Sequence, residues 1–114
     1  MSRERRSYIA QIRCGILPLH IETGRWININ VEERTCKVCN QDIVEDETHF
    51  IFNCPKYSYE RAEFISMVEA KNPEFITYDN IEKFKFFMTK DCISVFGKFL
   101  QKIYTIRKSI LYAD

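Results

Sequence analysis

The chain has 114 residues, 46% of them hydrophobic and 29% charged, with a formal net charge of +1. This is one domain's worth of sequence, too short for a polymerase or kinase core with accessories, and the near-neutral balance excludes a strongly basic nucleic-acid binder. No apolar run approaches the ~18 residues that span a bilayer, and the start Met1-Ser2-Arg3-Glu4-Arg5-Arg6 lacks a signal peptide's apolar stretch, so an intracellular protein without membrane association is expected.

Helical period runs from Ser2 to Cys14, with Tyr8, Ile9, Ile12 and Ile16 on one side and Gly15 and Pro18 as stops. From Leu17 to Val31 the apolar residues alternate, which predicts an extended segment with a turn at Glu22-Thr23-Gly24. Residues 35–55 are irregular and rich in potential metal ligands. Helical period returns from Tyr57 to Ala70 and stops before Asn72-Pro73. Asn80 is the expected cap of a helix from Ile81 to Thr89, and Asp91 that of a last helix from Cys92 to Tyr112. In this last helix Phe96, Phe99, Leu100, Ile103 and Ile110 form one stripe, with Lys98, Lys102 and Lys108 away from it.

The chemistry concentrates in one cluster. Cys36-Lys37-Val38-Cys39 is followed after nine residues by His49 and after four more by Cys54. Two thiolates two residues apart grip one tetrahedral ion from a tight turn, and a second pair closes the site. Three thiolates and an imidazole suit a structural Zn2+, and four protein ligands leave no open position for a water nucleophile. The chain has five cysteines, an odd number that argues against a disulfide framework. Cys14 and Cys92 stand apart from the cluster and read as buried small apolar residues, and His20 as an exposed or hydrogen-bonded strand residue. Phe50, Ile51 and Phe52 can shield the metal, while Glu45, Asp46 and Glu47 can orient the free ring nitrogen of His49.

Two arginines fall on apolar helix faces, Arg61 beside Tyr57, Phe64, Ile65 and Val68, and Arg107 near the stripe of the last helix. A buried arginine calls for a carboxylate. Internal ion pairs are expected, with Glu45 or Glu47 as the partner of Arg61, and a phosphate contact is the functional alternative for both.

The run Leu17-Pro18-Leu19, Ile21-Glu22-Thr23-Gly24-Arg25, Glu33-Arg34-Thr35-Cys36-Lys37-Val38-Cys39-Asn40, continued by Glu45-Asp46-Glu47-Thr48-His49-Phe50, Cys54-Pro55, Tyr57 and Arg61, resembles the C-terminal segment of non-LTR retrotransposon reverse transcriptases. The match covers residues 10–65, with a looser similarity in the closing helix. That family carries a Cys-Cys-His-Cys zinc knuckle after its polymerase, and the resemblance implies zinc ligation by Cys36, Cys39, His49 and Cys54. It also implies a contribution to holding RNA or target DNA. The chain lacks the family's paired-aspartate polymerase motif and an endonuclease centre, so no copying activity carries over.

The expected architecture is a small, mainly α domain over 1–114 organised around one zinc knuckle: an N-terminal helix in 1–16, an extended segment in 17–34, the knuckle in 35–56 and a helical part in 57–112. The expected function is a non-catalytic zinc-binding module that contributes to RNA or single-stranded DNA binding, with a polymerase-containing chain as a further partner. The rival is a zinc-stabilised interaction or scaffold domain without nucleic-acid binding. Residues 1–25 carry five arginines against two glutamates, whereas 32–50 carry two basic against six acidic residues. Contact with nucleic acid is therefore expected from the basic ends, through Arg3, Arg5, Arg6, Arg13, Lys98, Lys102 and Lys108, with Tyr8 or Trp26 as stacking partners.

Overall fold

In the computed structural model, which describes residues 1–15 and 17–112, the chain is mainly α-helical. Helix α1 (Arg3–Arg13) starts where the Ser2 side chain accepts a hydrogen bond from the Arg5 N–H at 3.2 Å. Glu4 in its first turn and Arg13 in its last both oppose the helix dipole. Tyr8, Ile9 and Ile12 are buried as expected, Ile16 lies outside the described residues, and Gly15 turns the chain away at a φ of 68°.

The segment predicted to be extended is the main correction. Only its start keeps the alternation, with Leu17 and Leu19 buried around Pro18. Residues His20–Trp26 form a short helix, α2, and Val31–Glu33 a 3₁₀ turn. The sequence offers α2 no capping side chain at Leu19. The cap comes from a distant residue, because the His20 N–H donates to Glu45 Oε1 at 2.6 Å. Trp26 is consequently exposed (64%) at the helix end. The only β pairing among the described residues is the single antiparallel bridge between Thr35 and Val44.

A π-helical turn (His49–Asn53) and a 3₁₀ turn (Pro55–Tyr57) lead into α3 (Ser58–Lys71). After a further 3₁₀ turn (Pro73–Thr77) come α4 (Asn80–Phe87) and α5 (Ile93–Leu111). The cap of α4 is Asp79, whose side chain accepts from the Glu82 N–H at 2.8 Å, rather than Asn80. Helix α5 begins after Cys92 and without a side-chain cap, so Asp91 does not fill the expected role.

Aromatic rings dominate the core between α3, α4 and α5. Phe64 stacks on Phe99 with centroids 4.4 Å apart and packs edge-on against Phe87, which in turn stacks on Phe96. The stripe of α5 is buried from Phe96 to Ile103, but Ile110 is 43% exposed, so the apolar face ends a turn or two before the helix does. On its other side α5 carries α1. Gly97 permits the approach: a Cβ there would lie 3.1 Å from Ile9 Cδ1 and 3.3 Å from Arg5 Cβ. Tyr8 packs on Tyr104 at 5.1 Å, and Arg5 Nε donates to Gln101 Oε1 at 2.7 Å. No helix among the described residues is long and apolar enough to cross a membrane.

Candidate metal centre

Cys36, Cys39, His49 and Cys54 converge, with one potential ligand atom from each lying within 4.8 Å of all the others. This group can hold a metal ion. The four side chains arrive on two pieces of backbone. The first is the turn between the bridge partners Thr35 and Val44, where the Asn40 N–H closes on the Cys36 carbonyl at 3.1 Å and the Cys36 N–H on the Ile43 carbonyl at 2.7 Å. Asn40 and Asp42 take positive φ values of 54° and 58°, conformations that these two residue types adopt more readily than most. The second piece is the π-helical turn with its exit: His49 opens it, and the Cys54 N–H returns to the His49 carbonyl at 2.7 Å. The wider turn puts His49 and Cys54 on the same side of the backbone, facing the first pair.

The surroundings favour a thiolate at Cys36 and oppose one at Cys54. The Cys54 thiol donates to Cys36, and together with the backbone N–H groups of Cys39 and Val38 this brings the Cys36 pKa down to about 5, against burial and the nearby charge of Glu45. Cys54, as the donor in that hydrogen bond and as a buried thiol, is pushed up, while the Lys56 N–H acts in the opposite direction. Backbone N–H groups aimed at sulfur stabilise the charged form that a metal requires. The imidazole of His49 points into the thiols, with Nε2 3.5 Å from Cys39 Sγ. Phe50 and Ile51 are buried and Phe52 half-buried, with Phe50 packed edge-on against Tyr57 and Phe52 stacked on Phe87 of α4.

The acidic run Glu45-Asp46-Glu47 does something other than orient the ring of His49. His49 Nδ1 is buried with no hydrogen-bond partner among the described residues. Asp46 instead accepts the backbone N–H of His49 at 2.8 Å and so caps the π-helical turn. Glu45 is fully buried and accepts two 2.8 Å hydrogen bonds from the Arg107 guanidinium, one on each oxygen. The two side chains are 4% and 2% exposed, so this is a desolvated, bidentate ion pair. Burial pulls the Arg107 pKa down, but the hydrogen bonds and charge of Glu45 outweigh it and leave it raised.

The predicted internal ion pair is therefore present at Arg107, and burial removes Arg107 from phosphate reach. Among the described residues Arg61 has no carboxylate partner: its Nε donates to the Ile51 carbonyl at 2.8 Å, and burial lowers its pKa. It still fastens the metal loop to α3, through backbone rather than through Glu45 or Glu47. His20 lies on a helix, not a strand, and its Nδ1 is 2.6 Å from the Thr35 carbonyl. A carbonyl only accepts, so Nδ1 carries the proton and braces the residue before Cys36. Cys92 is buried as expected, whereas Cys14 is exposed.

The seven basic candidates are divided by the fold. Lys102 pairs with Glu63 at 3.0 Å, and Lys98 lines the same α3–α5 groove as Glu60 and Glu63. Arg5 is half-buried and held by Gln101, which itself donates to Glu4. Arg13 touches Met88 Sδ at 3.6 Å, and Lys108 sits over the Tyr104 ring. Arg3, Arg6 and Arg13 are exposed and fall within an arc of about 80° on α1, which starts beside the buried Ile9 and runs away from the buried face. Tyr8 is buried and has no face free for a base, while Trp26 is exposed. The sequence gives no sign of Glu45 as the hub of the site, because its partners Arg107 and His20 are remote along the chain. Comparison with protein-family models, with curated proteins and with solved structures finds no match to this chain.

Proposed function

We propose that this chain is a non-catalytic, zinc-stabilised module that contributes to RNA or single-stranded DNA binding, similar in kind to the C-terminal segment of non-LTR retrotransposon reverse transcriptases. The observation that carries the reading is the convergence of Cys36, Cys39, His49 and Cys54 on one point. Zinc is the ion favoured by this donor set, since soft thiolates with an imidazole select it over magnesium or calcium. A tetrahedral shell with Zn–S of about 2.3 Å and Zn–N of about 2.0–2.1 Å sets sulfur and nitrogen about 3.5 Å apart. The Cys39–His49 separation of 3.5 Å agrees with this. When bound, zinc supplies a cross-link between the two backbone pieces. Four protein donors complete a tetrahedral shell, which supports a structural rather than a catalytic role.

For nucleic acid, the support comes from the exposed arginine face of α1 and from the resemblance. The contact set narrows to Arg3, Arg6 and Arg13, with Lys108 on α5 and Trp26 as an exposed stacking residue. Lys102 drops out because it pairs with Glu63, and Lys98 because, though exposed, it lines a groove that also carries Glu60 and Glu63. The same pairing favours the second reading, a zinc-stabilised scaffold, because it leaves little net positive field.

Titrating a single-stranded oligonucleotide at several salt concentrations separates the two. Three phosphate contacts predict a slope of log affinity against log salt of about −2 to −3. The triple variant R3Q/R6Q/R13Q should flatten that slope, while K98Q/K102Q should not. Absence of measurable affinity at low salt would establish the scaffold reading instead.

A further inference from the structure

We infer that Glu45 and Arg107 form an occupancy-dependent clamp, through which metal binding at the knuckle holds α5, and with it α1, in place. The inference rests on the metal-binding reading of the four-residue cluster and adds a consequence to it.

The path is short and continuous. Cys36 Sγ lies 4.0 Å from Glu45 Oε2, and both Glu45 oxygens are held by Arg107. The backbone of Glu45 is locked into the same small assembly as Cys36. Its N–H donates to the Arg34 carbonyl at 2.9 Å, its carbonyl accepts from the Ile21 N–H at 3.0 Å, and Cys36 and Ile43 pair one step further along. The position of the Glu45 carboxylate is thus set by the turn that presents Cys36 and Cys39. If that turn opens, the carboxylate leaves.

Among the described residues Glu45 is the carboxylate that pairs with Arg107. The other groups close to its guanidinium are phenol rings, Tyr104 at 5.8 Å and Tyr57, neither of which can replace a carboxylate. A guanidinium 4% exposed cannot stay unpaired in the core, so losing Glu45 obliges the last turns of α5 to move until Arg107 reaches water. Those turns carry Tyr104, on which Tyr8 of α1 packs. A local event at the knuckle is passed on because the ion pair has two discrete states, closed or broken.

Hydrogen exchange read by mass spectrometry on the full chain, zinc-loaded and then treated with increasing chelator, tests this. Residues 103–111 should lose protection over the same chelator range as residues 36–54, with exchange rising by about ten-fold or more. In zinc-loaded Arg107→Met, native mass spectrometry should still find bound zinc, but protection of 103–111 should now change by less than about two-fold on chelation. If Arg107→Met fails to fold, Arg107→Lys serves, since a single donor in place of the fork should leave a smaller zinc-dependent change. Wild-type protein that binds zinc yet shows unchanged exchange at 103–111 after chelation would overturn the clamp alone. So would Arg107→Met retaining the full zinc response. Protein that binds no zinc would overturn the metal reading and the clamp together.

Discussion

Arg107 and Glu45, 62 residues apart in the chain, meet through two 2.8 Å hydrogen bonds in a setting almost closed to solvent. The same carboxylate caps α2 through the His20 N–H. One residue of the metal loop thereby fixes the start of one helix and the end of another.

Breaking this pair from either side should be severe. Glu45→Ala or Arg107→Ala is expected to cost about 3–5 kcal/mol, because each leaves the other charge buried and alone. The double variant Glu45→Met with Arg107→Met should recover much of that loss, short of the cap on α2. Urea denaturation of the three variants checks the order, and a double variant as unstable as the sum of the singles would contradict it.

Metal content should follow the cluster. Cys36→Ser, Cys39→Ser, His49→Ala and Cys54→Ser should each lose zinc retention, and with it much of a folding contribution on the order of 10 kcal/mol. Cys14→Ser and Cys92→Ser should retain it, the latter at some cost in packing because Cys92 is buried. Native mass spectrometry and thermal unfolding give both readings.

Gly97 is where α1 and α5 come closest. Gly97→Ala should lie within about 1 kcal/mol of the wild type, since the gain in helix propensity offsets slight crowding by the mobile ends of Met1 and Ile9. Gly97→Val should cost about 1–3 kcal/mol, because its added methyls meet Ile9 and the less mobile Arg5 Cβ. Chemical denaturation measures each, and exchange along α1 should rise in the valine variant.

Arg61→Ala leaves the Ile51 carbonyl without its donor and should destabilise the protein by about 1–3 kcal/mol. The loss should appear as faster exchange around the π-helical turn, not in α5. An effect centred on α5 would mean that Arg61 acts by some other route.

Much of the candidate site was legible from spacing alone. Cys36, Cys39, His49 and Cys54 lie within nineteen consecutive residues, and ligand chemistry constrains such spacings tightly. The helical stretches were legible too, because α1 and α5 bury one face each and a buried face imposes a 3.6-residue period. The segment 17–34 misled because its apolar alternation suits a strand, whereas α2 depends on a cap supplied by Glu45 from the far side of the knuckle. Arg61 and Arg107 looked alike in sequence, each on an apolar helix face. Only the tertiary structure decided that Glu45 goes to Arg107 and that Arg61 must settle for a backbone carbonyl. It also decided that Lys102 is paired, since it meets Glu63 of α3 only once α3 and α5 have packed. Local periodicity and ligand spacing are properties of neighbouring residues, and a sequence displays them directly. The pairing of buried charges depends on which distant surfaces meet, and that is set by the packing of the whole core.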